Sequence, residues 1–271
     1  SIGGIIIPKL LKELGVNKVI ELYTEPTGIF PHNPEPLPEN ISEISGIMKK
    51  EKADVGFVVD PDADRLAIVC EDGSMFGEEY TLVAVSDYIL SHTPGPTVSN
   101  MSSTRALKDV SEKYGVQYYS AAVGEVNVVT RMKEVNAVIG GEGNGGVIYP
   151  EIHYGRDAMV GMALFLSHLA KSGLKTSELR NRYPDYFMSK NKINLTPGTD
   201  LEKVFEGFKS CYLQYEIHTE DGIKVDMEEG WIQLRKSNTE PIIRLYAEAK
   251  TEKTVREIAG NAIRIIENLI A

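Results

Sequence analysis

Three aspartates at alternate positions are the residues of this 271-residue sequence best suited to chemistry. They lie in Asp60-Pro-Asp-Ala-Asp64-Arg65, directly after the apolar run Val55–Val59. Open α/β sheets bind their ligands at the carboxyl ends of such strands. Anionic oxygen ligands suit a hard cation such as Mg²⁺, and three close carboxylates need a compensating charge. The pattern predicts Asp60, Asp62 and Asp64 as metal ligands, with a solvated acidic turn as the alternative.

An EF-hand calcium loop is a competing interpretation of the same motif. Glu71 falls at position twelve of that loop, where a glutamate is required. Position six, which must be glycine, is Arg65, and the residues that follow are strand-like. The sequence therefore does not favour an EF-hand.

A glycine-rich segment at residues 140–146 is the second candidate site. It reads Gly-Gly-Glu142-Gly-Asn144-Gly-Gly and follows a predicted strand at residues 137–139. Glu142 and Asn144 can bond adjacent hydroxyl groups, and the glycines let the backbone approach a ligand closely. This composition predicts a sugar-binding loop, with a purely structural glycine turn as the alternative.

A polar loop near the end of the chain is the third candidate. It reads Arg235-Lys-Ser237-Asn238-Thr239-Glu240-Pro241, between two predicted strands, and Arg244 follows. Two arginines, hydroxyls and turn amides can hold a phosphate dianion. The alternative is a hairpin turn with a solvated arginine.

The composition limits the class of partner. A net charge of −10 repels nucleic acid and anionic membranes, so an anionic substrate must be held by local cations. The two cysteines, Cys70 and Cys211, lie far apart and do not indicate a disulfide framework. Without an apolar stretch of spanning length or a signal peptide pattern, the expected location is the cytoplasm.

The elements that position these loops alternate between helix and strand up to about residue 184, which predicts doubly wound α/β units. The chain opens on a predicted helix, followed by a strand at residues 19–23, a helix at 41–50 and a buried parallel strand at Val55–Val59. A strand normally precedes the first helix of such a sheet, so we expect a chain cut just upstream. Alternating apolar runs after residue 185 predict an antiparallel sheet, closed by an amphipathic helix at 254–269.

The predicted fold class is thus α/β, with two doubly wound α/β domains, the first truncated, and a small α+β domain. The predicted domains are residues 1–74 with the metal loop, 75–184 with the sugar loop and 185–271 with the phosphate loop.

Taken in this order, the three loops resemble those of the α-D-phosphohexomutases: phosphoglucomutase, phosphomannomutase and phosphoglucosamine mutase. The resemblance spans nearly the whole chain, as the second, third and fourth of four domains. It implies a Mg²⁺ site at the aspartates, with Arg65 assisting catalysis. It also implies sugar binding by Glu142 and Asn144, and it implies that the phosphate is bound by Arg235, Ser237, Asn238, Thr239 and Arg244.

The sequence departs from the family pattern at several positions. Gly146 stands where many bacterial members have a histidine, which leaves the general acid or base open, with His153 as a weak candidate. Val129 stands where some members have a lysine. Residues 31–34, Pro-His-Asn-Pro, resemble the family's phosphoserine motif, but proline has no hydroxyl, so we interpret His32 as structural.

The resemblance implies interconversion of hexose 1-phosphate and hexose 6-phosphate through a phosphoserine and a hexose bisphosphate. Without the serine, we expect this chain to bind metal and not to turn over. The alternatives are a Mg²⁺-dependent aspartyl phosphatase and a sugar-phosphate-binding module. The preferred hexose and the oligomeric state, a homo-oligomer included, stay open.

Overall fold

The computed structural model describes residues 1–196, 198–237 and 240–270. The chain divides into two compact units, Ser1–Pro184 and Asp185–Ala271. The loops predicted to bind metal and sugar lie in the first unit, and the loop predicted to bind phosphate lies in the second.

The first unit begins with two helices and a β-hairpin. These elements are α1 (Gly3–Glu13), α2 (Ser42–Glu51), β1 (Val55–Val59) and β2 (Leu66–Cys70). The two strands are antiparallel, and Val59 lies opposite Leu66, so residues 60–65 form the connection at the hairpin tip. Every residue of β2 is buried, which gives the tip a rigid base.

Two strand predictions in this region are wrong. Residues 19–23 form no strand, although their apolar pattern predicts one. Val55–Val59 is not a parallel strand buried on both faces, because it pairs antiparallel with β2 and is half-buried along most of its length. A cavity of about 1120 Å³ is lined by residues 19–23 and by β1. The apolar run at 19–23 therefore lacks the neighbouring strand that a ladder of hydrogen bonds requires.

The rest of the first unit is a layered α/β structure. Its elements are α3 (Glu78–Leu90), β3 (Thr97–Asn100), α4 (Ala106–Lys113), β4 (Tyr118–Ala121), α5 (Glu125–Val135), β5 (Ile139–Glu142), β6 (Gly146–Ile148), α6 (Ala158–Ser172) and α7 (Thr176–Arg180). The sheet order is β4-β3-β5-β6, with β3 parallel to both β4 and β5. Strand β6 runs antiparallel to β5. The α/β class is confirmed, and β5 runs three residues further into the glycine segment than predicted.

Helix α3 is buried on nearly all sides and carries a charged residue, Asp87, into the interior. The side chain of Asp87 accepts hydrogen bonds at Oδ1 from Lys113 Nζ (2.8 Å) and Tyr114 OH (2.9 Å). Its Oδ2 accepts one from Tyr183 OH (3.2 Å) and lies 3.4 Å from His168 Nε2. These five residues form the Asp87 cluster.

The second unit is an antiparallel sheet packed against helices. Its elements are β7 (Phe187–Asn194), α8 (Leu201–Ser210), β8 (Glu216–His218), β9 (Ile223–Asp226), β10 (Gly230–Lys236), β11 (Ile242–Ala249) and α9 (Glu252–Ile270). The strand order is β7-β11-β10-β9-β8, and each pair is antiparallel, as predicted. In its apolar core, residues of the sheet pack against helix residues such as Phe208 of α8 and Ile266 of α9. None of the helices in the described ranges is long and apolar enough to cross a bilayer.

Candidate active site

The predicted metal loop is a tight turn built around Asp60, the first residue after β1. Asp60 is buried, and its Oδ1 accepts hydrogen bonds from the backbone N–H groups of Asp64 (3.0 Å) and Arg65 (3.1 Å). Ala63 adopts a left-handed conformation (φ 58°), and its N–H bonds to the carbonyl of Asp60. The turn folds the loop back on itself, so that the alternate aspartates converge.

The three carboxylates form a group suited to a cation. One oxygen each from Asp60, Asp62 and Asp64 lies within 4.8 Å of the others. Asp64 Oδ1 is buried and, within the described part of the chain, has no hydrogen-bond partner. A buried carboxylate oxygen without a partner is costly unless a cation meets it. The donor set fits a hard, oxygen-binding ion such as Mg²⁺.

The electrostatics of Asp60 point the same way. Burial, followed by the neighbouring carboxylates of Asp64 and Asp62, raises the pKa of Asp60 to about 6, against the lowering effect of the Arg65 backbone N–H. The side chain of Arg65 offsets the negative charge of these carboxylates only weakly. Arg65 Nε lies 3.7 Å from Asp60 Oδ2 and 3.8 Å from Asp64 Oδ1, and its guanidinium also reaches Glu35. The loop thus holds more negative charge than its own residues neutralise.

The glycine segment forms a hairpin between β5 and β6, with Glu142 opposite Gly146. Its glycines allow close packing against the hairpin of β1 and β2. The carbonyl of Gly145, whose φ is 87°, accepts a hydrogen bond from Leu66 N (3.0 Å), and a Cβ at that glycine would overlap Leu66. A second backbone bond joins Ala158 N to the carbonyl of Ala63 (3.1 Å). The loops predicted to bind metal and sugar are therefore joined through their backbones.

Glu142 is buried and already has several partners. Its Oε1 accepts hydrogen bonds from Asn100 Nδ2 (2.7 Å) and Gly124 N (3.1 Å), and its Oε2 accepts one from Arg156 Nη1 (2.8 Å). An ionised carboxylate offers about four acceptor positions, so one is left for a ligand hydroxyl. The side chain of Asn144 stabilises the turn, because its Oδ1 accepts the N–H of Gly146 (3.2 Å).

Arg156 is the site residue that the sequence analysis missed. Its Nη2 donates to Asp64 Oδ2, its Nη1 to Glu142 Oε2, and its Nε lies 3.4 Å from Glu125 Oε2. One guanidinium thus meets carboxylates from the metal loop, the glycine hairpin and the start of α5. The available signal was weak: an arginine in Gly155-Arg156-Asp157, just before a helix whose N-cap is Asp157.

The other residues that the sequence analysis singled out have ordinary structural surroundings. His153 is half-exposed, and its Nε2 lies 2.9 Å from Asp157 Oδ2. His32 Nδ1 lies 2.7 Å from the carbonyl of Asn33, within its own exposed loop. Val129 packs against the apolar core of α5 and β3.

The predicted phosphate loop follows β10 in the second unit. Arg235 of β10 lies directly opposite Arg244 of β11, so their side chains share one face of the sheet. Each is paired with a carboxylate, Arg235 Nε with Asp221 Oδ2 (2.6 Å) and Arg244 Nη2 with Glu240 Oε2 (3.1 Å). Like charges placed opposite each other on a sheet repel, and a bound anion would relieve this repulsion.

The residues around this arginine pair complete the description of the loop. Ser237 is buried, and its Oγ accepts the N–H of Glu240 (3.3 Å). Asn238 and Thr239 lie outside the described residues. Lys192 of β7, which no sequence motif singled out, lies opposite Arg244 and adds a third cation to the same face.

Models of three domains of one family match successive parts of this chain. The phosphoglucomutase/phosphomannomutase α/β/α domain II matches residues 1–73, domain III matches 77–186 and the C-terminal domain matches 189–265. The chain belongs to the phosphoglucomutase/phosphomannomutase family, as its three loops predicted.

Individual relatives support this assignment. A phosphoglucomutase/phosphomannomutase of Thermococcus kodakarensis is 36% identical over 272 residues, covering 99% of this chain and 59% of the relative. A probable phosphoglucosamine mutase of Methanopyrus kandleri is 32% identical, covering 99% of this chain and 60% of the relative. The chain thus spans about 60% of the length of these curated relatives.

Solved structures with a similar fold carry the name of the same family. A phosphoglucomutase/phosphomannomutase family protein from Burkholderia thailandensis superposes with a TM-score of 0.88 at 27% identity, covering 99% of this chain and 58% of that protein. A phosphomannomutase-like protein from Thermus thermophilus gives a TM-score of 0.79 at 25% identity, covering 98% and 58%.

Proposed function

We propose that this chain is the metal-, sugar- and phosphate-binding part of a phosphohexomutase, which interconverts hexose 1-phosphate and hexose 6-phosphate. The observation that supports it most is the junction, within one compact unit, of the acidic triad with Glu142 through Arg156. Relatives named for glucose, mannose and glucosamine phosphates make these three sugars the candidate substrates.

In the proposed reaction a phosphoserine, supplied from outside residues 1–271, gives its phosphoryl group to a hexose monophosphate. The serine oxygen–phosphorus bond breaks as a sugar hydroxyl oxygen bonds to phosphorus, and the net effect is to move the hydroxyl proton to the serine oxygen. The hexose bisphosphate then reorients, the bond between its other phosphoryl group and the sugar oxygen breaks as the serine oxygen bonds to phosphorus, and the serine proton passes to that sugar oxygen. The products are the isomeric monophosphate and the regenerated phosphoserine.

The proposed roles follow from the surroundings of each residue. Asp60, Asp62 and Asp64 would hold Mg²⁺, which when bound neutralises charge on a transferring phosphoryl group. Arg65, beside the triad, would donate to the phosphoryl oxygens. Glu142 would accept one sugar hydroxyl at its remaining acceptor position, and Asn144 would bond a neighbouring hydroxyl.

The second unit would bind the phosphate that is not reacting. Arg235, Ser237 and Arg244 would bind this dianion, together with Asn238 and Thr239 of the same loop. We propose the functional division at residues 1–74 for metal, 75–184 for sugar and 185–271 for phosphate. The extents of the three family matches support this division.

The test is a fusion of this chain to the part of the Thermococcus kodakarensis relative that lies outside the matched region. Glucose, mannose and glucosamine 1-phosphates are each assayed for conversion to the 6-phosphate, with Mg²⁺ and glucose 1,6-bisphosphate as primer. We expect conversion of at least one sugar. In the fusion, Asp62→Asn should lower the rate by about 100-fold or more, because it removes a metal ligand. Asp72→Asn, on an exposed turn at the other end of the hairpin, is the matched control.

Two results would contradict the proposal. One is a fusion that binds Mn²⁺, and is therefore folded at this loop, yet converts none of the three sugars. The other is phosphate release from sugar phosphates by the unfused chain, abolished by Asp60→Asn. That result would favour the aspartyl phosphatase.

A further inference from the structure

Arg156 binds a carboxylate of the metal loop and a carboxylate of the glycine hairpin at the same time. Its side chain is only 15% exposed, and its two terminal nitrogens donate to Asp64 Oδ2 and Glu142 Oε2. Planar guanidinium groups hold two acceptors in a fixed relative geometry, which a lysine ammonium does not do. This side chain therefore constrains the positions of the Asp64 and Glu142 carboxylates relative to each other, in addition to the backbone bonds between the two segments.

The arginine is itself held in place. Its backbone N–H donates to Glu125 Oε1 (3.1 Å), and its Nε lies 3.4 Å from Glu125 Oε2. The next residue, Asp157, caps α6 by accepting the N–H groups of Met159 and Val160. The guanidinium thus projects from a fixed helix start.

The two oxygens of Asp64 have different surroundings. Oδ2 is bound to Arg156, whereas Oδ1 is buried and, within the described ranges, has no hydrogen-bond partner. Fixing one oxygen of a carboxylate fixes the direction of the other. Outer residues that orient a metal ligand in this way strengthen metal binding.

Gly146 leaves the space that Arg156 occupies. A Cβ at this glycine would overlap Arg156 Cδ and lie 3.1 Å from its Cγ. The restriction comes from this neighbour, because the φ of Gly146 is not in the left-handed region. This gives a physical reason for glycine at position 146.

We propose that Arg156 is a positioning residue for the metal loop. It fixes Asp64 with Oδ1 directed to the cation and joins that carboxylate to Glu142, and Gly146 is the position that admits it. This inference rests on the proposed function, because it assumes that the triad binds a divalent ion.

If Arg156 only neutralised charge, its removal would change the Mn²⁺ affinity in the opposite direction. If Arg156 only offset negative charge, its removal would make the site more negative and Mn²⁺ would bind more tightly. If it positions Asp64, its removal should weaken Mn²⁺ binding. The sign of the change therefore separates the two roles.

The experiment measures Mn²⁺ affinity of the chain by electron paramagnetic resonance for five proteins: wild type, Arg156→Met, Gly146→Ala, the double variant and Arg131→Met. We expect Arg156→Met to weaken binding by about 10-fold or more. Gly146→Ala keeps the arginine but displaces it, and should weaken binding in the same direction. The double variant should be no weaker than Arg156→Met alone, because the added methyl group then has nothing to displace. Arg131→Met removes the same charge from a half-buried position of the same unit, where the arginine pairs with Glu134, and should leave the affinity unchanged.

Each outcome is decisive. If Mn²⁺ binds equally well or more tightly to Arg156→Met, the positioning role is wrong while the metal site stands. Losses that add in the double variant would show that Gly146 acts independently, which also overturns the inference. A wild-type chain that binds no Mn²⁺ contradicts the proposed function itself. If Arg156→Met does not fold, Gly146→Ala with its arginine intact decides the question.

Discussion

Two buried aspartates in the first unit have opposite electrostatic surroundings. Asp60 and Asp87 are almost equally buried, at 6% and 5% exposure. Burial and neighbouring carboxylates raise the pKa of Asp60 to about 6. Burial would also raise the pKa of Asp87, but hydrogen bonds from His168, Lys113 and Tyr114 outweigh it and hold that pKa below its usual range.

The difference separates the candidate metal site from a structural cluster. The Asp87 cluster supplies its own donors, so the carboxylate is satisfied by the protein alone. The Asp60 turn brings three carboxylates together and leaves Asp64 Oδ1 without a hydrogen-bond partner among the described residues. Both clusters combine acids with other polar groups, yet at the Asp60 turn three carboxylates face only two arginines of the described chain, Arg65 and Arg156, and such an excess of negative charge suits a bound cation.

Replacing each aspartate by asparagine gives the largest contrast. In the metal-free chain at pH 7, we expect Asp87→Asn to lower the free energy of unfolding by about 2–3 kcal/mol, because the charge-assisted bonds are lost. Asp60→Asn should instead raise it by about 1 kcal/mol, since a buried charge is removed. Equal destabilisation by both changes would contradict the comparison.

The measurement uses Cys70, which lies in the buried strand β2 of the same unit. Burial raises the pKa of the Cys70 thiol to about 11, so it should react with thiol reagents only after the strand opens. Labelling is followed in urea in a Cys211→Ser background, which removes the exposed thiol.

Asp60 and Asp87 should also differ in how their contributions to the free energy of unfolding change with pH, by about 1 kcal/mol between pH 7 and 5. The folded-state pKa of Asp60, about 6, lies above the unfolded value of about 4, so the folded state binds the proton more tightly. Stability from this group should therefore increase as pH falls from 7 to 5, by about 1 kcal/mol, and Asp60→Asn should abolish that increase. The lowered pKa of Asp87 acts only at lower pH, where its contribution is lost as pH falls below about 4. Urea titrations of the wild type and of Asp60→Asn at pH 7, 6 and 5, with a chelator present, test this prediction. It would be contradicted if the free energy of unfolding of Asp60→Asn rose with falling pH as much as that of the wild type.

Lys113→Met should give the smallest effect. The lysine donates to Asp87 at 2.8 Å, but its side chain is 59% exposed, so water screens the pair. We expect a loss of about 0.5–1 kcal/mol in the same urea assay, because exposed ion pairs contribute little. A loss as large as that of Asp87→Asn would show that the cluster depends on its lysine rather than on its buried tyrosines and histidine.

The convergence of the three aspartates could be predicted from sequence because these residues are local. Asp60, Asp62 and Asp64 follow one apolar strand within five positions, and a tight turn suffices to bring them together. The amphipathic helix predicted at residues 254–269 was also found close to its predicted bounds, at Glu252–Ile270, since its apolar face defines it.

Features that depend on distant partners could not be predicted in this way. The link from Arg156 to Asp64 and Glu142 joins three segments that only the folded sheet brings together. The strand predicted at residues 19–23 is wrong for a related reason. An apolar pattern predicts a strand, but it does not show whether another strand lies beside it to form hydrogen bonds. The ion pairs of Arg235 and Arg244 with Asp221 and Glu240 likewise depend on strand register.

Two backbone hydrogen bonds, from Leu66 to Gly145 and from Ala158 to Ala63, affect how this chain can be recombined with its relatives. Family domains II and III meet near residue 75, but these bonds cross that border. A crossover at residue 75 would therefore pair one parent's metal turn with the other parent's glycine hairpin. A crossover at the boundary between the two compact units keeps both partners of each bond from a single parent.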